Sequence, residues 1–425
     1  MTPRTRLPMP AISRRGFVAG SSALLLAGPA LAQEEDNFWS SPGRRRLMRD
    51  TDQDGNTATA KSLVDSIEPI LSYDTAYNLQ LSIQNHEQFI AAGGGWEAPS
   101  RETFGLSVGK NGKAVGQLKQ RLMTNGDMPY ERRVNNSFDN ALDAAVRRFQ
   151  ARHGLIINGQ VDEPTFYALS VPVEYRLNQL RLNAMRIEQW ASALSDRYVV
   201  VNIPAATIEA VEGGQVVQRH TAVVGKVDRA TPILNSKVHQ VKFNPYWTVP
   251  KSIIRKDLIK YMNEDPEYLT KFRIRIFDGR GNELMPTDID WSTDQAVQYT
   301  FRQDPGPENS LGRCKIDFYN KHDVYLHDTP QQSLFSENAR FYSSGCVRVE
   351  QVETLIAWLL RDNGNWDVDA VRAAFDSGVQ DNVALKVQVP IHTTYITAWA
   401  NRQGSVSFRD DVYNFDAQGT VVFEV

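Results

Sequence analysis

The periodicity of the apolar residues changes near residue 197, and that change divides the chain into two kinds of fold. Across residues 60–92 apolar side chains recur at helical spacing: Leu63, Ile67, Ile70 and Leu71, then Leu79, Ile83 and Phe89. The run Gly93-Gly94-Gly95 stops the second of these helices. Residues 101–172 form a compact three-helix unit. Val115, Leu118 and Leu122 share one face, a second helix over 141–153 carries Leu142, Ala145, Val146 and Phe149, and a short third runs over 164–169. A long amphipathic helix over 176–194 reads as a connector. After it, short apolar runs bounded by glycine or polar turns read as strands over 198–203, 208–212, 216–224, 238–243, 314–318, 324–327 and 384–389. One clear helix, 352–360, follows residue 346. Residues 252–262 and 266–272 return to helical spacing and interrupt the strand series.

The expected fold class is therefore α+β and multi-domain. It comprises a helical scaffold segment 33–100, the three-helix unit 101–172, a connector 173–197, a mainly β domain 198–390 with a helical insertion near 250–300, and a C-terminal extension 391–425. Such an insertion can serve as a lid over a site or merely decorate the domain, and pattern alone leaves both open.

Residues 1–32 read as an address. Arg4, Arg6 and Arg14-Arg15 precede the short apolar run 17–31, and Ala30-Leu31-Ala32 offers a small-residue cleavage site. The run is too short to cross a bilayer as a helix, and Ser13-Arg14-Arg15-Gly16-Phe17-Val18 is similar to a twin-arginine export signal. The expected location is the periplasm, with no integral membrane segment. Cleavage after Ala32 removes four arginines and no acid, taking the formal charge from -3 to -7. That balance argues against nucleic acid as a partner. With 41% hydrophobic residues the chain can bury true cores, and it is expected to act as a monomer.

Two cysteines in an exported chain invite the suspicion of a disulfide, here Cys314 with Cys346. Such a bond would consume the one cysteine whose setting suits a nucleophile. Cys346 ends the turn Tyr342-Ser343-Ser344-Gly345-Cys346, where glycine lets backbone N–H groups approach a carbonyl oxygen. A thiol nucleophile also needs a base, and His327 stands at a predicted strand end before Asp328-Thr329-Pro330. Taken singly, a cysteine after small residues is usually a small buried side chain and a lone histidine is usually a hydrogen-bonded one. The seven histidines show no His-Glu-x-x-His spacing, so neither metal nor cofactor is expected.

Taken together, His327, a spacer of about fifteen residues, and Ser343-Ser344-Gly345-Cys346-Val347-Arg348 resemble the L,D-transpeptidase catalytic domain. Ser344 departs from the histidine that many members carry there. The resemblance extends through Val223-Val224-Gly225-Lys226, Arg229-Ala230-Thr231-Pro232, residues 244–250, Asn309-Ser310-Leu311-Gly312-Arg313 and Tyr325-Leu326-His327-Asp328-Thr329-Pro330, and covers 198 to about 390. Residues 101–172 resemble a peptidoglycan-binding domain through Gly112-Lys113-Ala114-Val115, Ala145-Val146-Arg147-Arg148-Phe149-Gln150 and Gly159-Gln160-Val161-Asp162-Glu163-Pro164-Thr165.

These resemblances imply peptidoglycan stem peptides as partners, a tetrapeptide donor with a peptide or protein acceptor. They also imply roles. Cys346 would attack the L-to-D peptide carbonyl with His327 as base and then acid, and a backbone carbonyl or a small polar residue, with Ser343 as a candidate, would orient His327. Backbone N–H groups around Gly345 and Cys346 would hold the oxyanion with help from Tyr325 and support from Ser343 and Ser344. Arg348 would bind a substrate carboxylate or brace the loop, and Trp247 and Tyr246 would line the donor groove. Cys314 would be a buried free thiol, and carbapenems would acylate Cys346. Hydrolysis of the same thioester, or a wall-binding protein without activity, are the competing readings.

Overall fold

A computed structural model describes residues 55–421. The proposed export segment and the start of the scaffold segment lie outside these residues. Among the described residues no helix is long and apolar enough to cross a membrane.

Most of the helical part forms near where the spacing places it, but Ile67, Ile70 and Leu71, expected on the first helix, lie in the link between the first two. Helices run over Gly55–Val64, Tyr73–Ala91, Lys113–Thr124, Asn140–Arg152, Glu163–Ser170 and Val173–Ala191. Several starts are fixed by side-chain caps: Ser72, Asp139 and Asp162 accept the N–H groups of Thr75, Leu142 and Thr165. Within the three-helix unit Val115, Leu118, Leu122, Phe138, Leu142, Val146 and Phe149 form one core. Each fully buried Leu or Phe there contributes about 1.5–3 kcal/mol. Lys119 is wholly buried within this unit and places its ammonium 2.6 Å from Asp139, the residue that also caps the second helix.

The β part is a nine-stranded sheet whose spatial order returns on itself. Its strands, in that order, are Phe341–Ser343, Gln215–Gly225, Val347–Val349, Leu326–His327, Cys314–Phe318, Leu234–Phe243, Asp381–Thr394, Arg197–Asn202 and Thr207–Glu212. The last of these pairs back onto Gln215–Gly225, closing a ring. Closure leaves few open edges. Strand Arg197–Asn202 is buried on both faces, and its Val199 and Val201 share one core with Leu79 of the helix Tyr73–Ala91 and Leu180 and Ile187 of the helix Val173–Ala191. The strand Asp381–Thr394 is far longer than the expected run 384–389 and crosses residue 390. A second helix, Val368–Asp376, follows Val352–Leu359 and was not anticipated.

The insertion differs from expectation in kind. It holds its helices around Ile254–Leu258 and Tyr268–Lys271, but also a four-stranded sheet of Trp247–Thr248, Thr300–Gln303, Ile274–Phe277 and Glu283–Leu284. Strands of two to four residues carry too little alternation to be seen in a sequence. The insertion has its own core, including Ile254, Leu258, Leu269, Ile276 and Phe301, and Tyr325 of the main domain packs against it.

Candidate active site

Two short parallel strands assemble the site. Leu326 lies opposite Val347, and His327 lies opposite Arg348, with the Val347 N–H donating to the Tyr325 carbonyl at 3.0 Å. Leu326 and Val347 are buried in the main core. Because strand side chains alternate, Tyr325, His327, Cys346 and Arg348 share the opposite face. Residues nearly twenty apart in sequence thus become neighbours through one pair of ladder positions.

The turn before Cys346 is tightly held. Gly345 sits at a φ of 116°, a conformation that side chains other than glycine rarely adopt. The buried Ser343 hydroxyl donates to the Cys346 carbonyl and accepts the Gly345 N–H at 3.1 Å. Thr231 donates its hydroxyl to the Gly345 carbonyl at 2.9 Å, and Arg229 reaches the Ser344 hydroxyl at 2.9 Å. Arg229 is also clamped to Asp257 by two hydrogen bonds of 2.5 and 2.9 Å. Asp257 belongs to the π-helical turn Ile254–Leu258, so the insertion returns to the Cys346 turn and is tied to it.

The electrostatics follow from burial. Desolvation, reinforced by the charge of Arg348, pushes the His327 imidazole down to about 3, so it is neutral at physiological pH. Its Nδ1 lies 2.5 Å from the Asp328 carbonyl oxygen, an acceptor only, so Nδ1 carries the proton and Nε2 keeps a lone pair. That tautomer is the one a general base requires. Burial likewise raises the Cys346 thiol to about 11, opposed by hydrogen bonding from Tyr325 and by the Lys315 and Arg348 charges. The Lys315 ammonium lies 4.1 Å from the centre of the Tyr325 ring. The Tyr325 hydroxyl accepts the Trp247 indole N–H at 3.2 Å. Cys346 Sγ itself has a long contact of 3.9 Å to the Asp323 carbonyl.

The resting pair is therefore thiol and neutral imidazole rather than thiolate and imidazolium. Alkylation of Cys346 by iodoacetamide should keep accelerating as pH rises past 9, because the raised thiol pKa places the thiolate on the alkaline side. Mass mapping of the Cys346 peptide across pH checks this, and a rate that levels off below pH 7 would contradict it.

The geometry selects between some expected alternatives and changes the placement of Trp247. The group that orients His327 is the Asp328 backbone carbonyl, whereas the Ser343 hydroxyl is spent inside the turn. Trp247 is only 3% exposed and backs Tyr325, so it supports the site from behind and does not line a groove. Tyr246, just before the strand Trp247–Thr248, is 40% exposed, and the Arg302 guanidinium lies 4.7 Å from its ring centre. Arg348 is buried and donates to Gln331 at 2.7 Å, which places it as a brace of the loop after His327. Burial lowers its guanidinium to about 10, offset by Cys346. Cys314 lies wholly buried in the main core, and both cysteines are free. Its thiol is pushed far up by desolvation, which keeps it inert.

Sequence reasoning did not single out Arg229, Thr231, Asp257, Lys315 or Asp328 as site residues. Arg229 and Thr231 stood within a matching run, and Asp328 follows His327 directly. Asp257 and Lys315 gave no signal, since charged residues on an amphipathic helix and a strand are ordinary.

Residues 196–389 match the family profile described as an L,D-transpeptidase catalytic domain. Over these residues the chain is similar to the L,D-transpeptidase family. Residues 111–169 match a profile provisionally described as a peptidoglycan binding domain. A protein of Haemophilus influenzae, provisionally named an L,D-transpeptidase, is 33% identical over 243 residues, covering 56% of this chain and 48% of that protein. The chain thus spans about half the length of the curated relative it matches. Solved L,D-transpeptidases are also similar. The one from Stackebrandtia nassauensis is 13% identical over 70% of this chain and 97% of its own, with a TM-score of 0.24. That from Xylanimonas cellulosilytica is 16% identical over 68% and 98%, with a TM-score of 0.23. Both site strands, Leu326–His327 and Val347–Val349, fall inside the matched transpeptidase domain, as does the insertion.

Proposed function

We propose that this chain is a peptidoglycan L,D-transpeptidase in which Cys346 forms a thioester with a stem tetrapeptide and passes the acyl group to an acceptor amine. The observation that carries the reading is the pairing of Leu326–His327 with Val347–Val349, which sets a neutral, correctly tautomerised His327 on the same face as Cys346. The family match of residues 196–389 supports it.

The chemistry follows from those two groups. Nε2 of His327 takes the thiol proton as Sγ bonds to the carbonyl carbon between the L- and D-residues. Negative charge moves to the carbonyl oxygen, where the backbone N–H groups around Cys346 and the Tyr325 hydroxyl serve as donors. Collapse breaks the C–N bond, and the proton on Nε2 goes to the departing amine of D-alanine. An acceptor amine then attacks the thioester, loses its proton to Nε2, and displaces Sγ, which is reprotonated. Because the thiol is held near 11, the proton transfer must accompany attack, which makes His327 essential to the step. An acceptor that is the side-chain amine of another stem peptide gives a 3-3 cross-link.

The three-helix unit would hold the enzyme on its polymeric substrate, and a twin-arginine signal would carry it folded to the periplasm. The insertion would exclude water from the thioester, favouring an amine acceptor over hydrolysis. Incubation of the purified protein with tetrapeptide-containing wall fragments should release D-alanine and yield dimers linked directly between two diamino-acid residues. Release of D-alanine with trimmed monomers alone would instead assign a hydrolase.

A further inference from the structure

The turn that carries Cys346 is held from behind by residues 225–231, and that loop is held in turn by a side chain from the far end of the chain. The Lys226 N–H donates to the Ser343 carbonyl at 2.9 Å. Thr231 works in both directions, accepting the Gly225 N–H at 2.9 Å while donating to the Gly345 carbonyl at 2.9 Å. On the loop's other side the Tyr413 hydroxyl donates to the Gly225 carbonyl at 2.7 Å and accepts the Thr231 N–H at 3.2 Å. One phenol therefore spans both ends of the loop. There is little slack to absorb its loss, since a Cβ on Gly225 would press into the Arg229 carbonyl.

Tyr413 lies outside the matched residues 196–389. It is buried, and its own N–H donates to the Tyr395 hydroxyl at 2.8 Å, which in turn donates a hydrogen bond to the Asp411 carboxylate at 2.8 Å. The segment around it is fixed to the connector helix Val173–Ala191. Arg186 forms a buried ion pair with Asp416 at 2.5 Å, and Gln179 donates to the Arg409 carbonyl at 2.9 Å. The anchor is thus rigid at its distal end.

We propose that Tyr413 is a positioning residue of the active site, setting the spacing of Gly225 and Thr231 and through Thr231 the placement of the Cys346 turn. The proposal rests on the reading of Cys346 as the nucleophile. Without the phenol oxygen, the Gly225 carbonyl and the Thr231 N–H each lose a buried partner, and the loop moves to recover hydrogen bonds. The Thr231 hydroxyl moves with it, and the turn follows. A misplaced nucleophile loses rate more than substrate affinity, because a small displacement spoils the attack geometry before it disturbs binding.

Tyr413→Phe in the full-length protein removes only the oxygen. The expected result is a fall in kcat of about tenfold or more with KM within about twofold. The rate of iodoacetamide alkylation at Cys346 at a fixed pH should also change severalfold. Thr231→Val should reproduce the loss, Thr231→Ser should largely restore the wild-type rate, and the double variant Tyr413→Phe/Thr231→Val should be no slower than Thr231→Val alone. The Thr231 series reads the same brace if Tyr413→Phe does not fold. A lower melting temperature with kcat, KM and Cys346 alkylation unchanged would make Tyr413 merely structural and overturn the proposal, as would additive losses in the double variant. If the wild type forms no acyl-enzyme at Cys346, the nucleophile assignment falls, while the alkylation rates still judge the brace on their own.

Discussion

Cys346→Ala is expected to remove D-alanine release and cross-linking altogether, down to the background of the uncatalysed reaction. Alanine offers no atom that can form the acyl bond, so the loss should reach about 10⁴-fold or more, with no partial activity to be recovered at higher pH. Folding should survive, because Cys346 is only partly buried and alanine fits the space of its Cβ. Cys314→Ala supplies the control. That thiol sits wholly within the main core, so its loss should cost stability through a small cavity and leave turnover close to wild type. Measuring D-alanine release for both variants alongside their melting temperatures separates the two cysteines: one change should affect chemistry, the other stability.

The second large effect is expected at His327. His327→Gln keeps a polar side chain in the buried space but cannot accept a proton from the thiol. With Cys346 raised to about 11 by burial, little thiolate exists at neutral pH to carry the reaction unaided. Loss of the base should cost about 10²–10⁴-fold in kcat, with KM little changed. The deficit should shrink as pH rises toward the thiol pKa, since hydroxide then performs the deprotonation. Wild-type activity should in turn persist well below pH 6, because His327, held near 3, stays neutral there. A pH–rate profile of both proteins tests the pair of statements. An acid limb near pH 6.5 in the wild type would contradict the buried, neutral imidazole.

The sequence shows the reactive side chains more plainly than what holds them. Cys346 and His327 stand out because cysteine and histidine are rare and their roles are specific to residue type. The two strands that bring them together are two and three residues long, too short to leave a periodic trace. The orienting partner of His327 is a backbone carbonyl, which every residue possesses, so no residue identity could reveal it. The pair Tyr246 and Trp247 teaches the same point differently. The two rings stand side by side in sequence yet differ in exposure, 3% for Trp247 and 40% for Tyr246, and only the larger, more apolar one is buried. The insertion's helices were legible through their spacing, while its four short strands were not. Tyr413 gave no signal among the several aromatic residues of the C-terminal stretch, yet the fold returns its hydroxyl to 2.7 Å from the Gly225 carbonyl.

The account's central claim is that Cys346 is the atom-bearing nucleophile, and covalent labelling by a carbapenem tests it most directly. Peptide mapping by mass spectrometry after incubation with the drug should find a single adduct, confined to the peptide containing Cys346 and present also in Cys314→Ala. The adduct should be absent from Cys346→Ala and formed far more slowly by His327→Gln. An adduct on another residue, or none while wall fragments are still cross-linked, would contradict the claim.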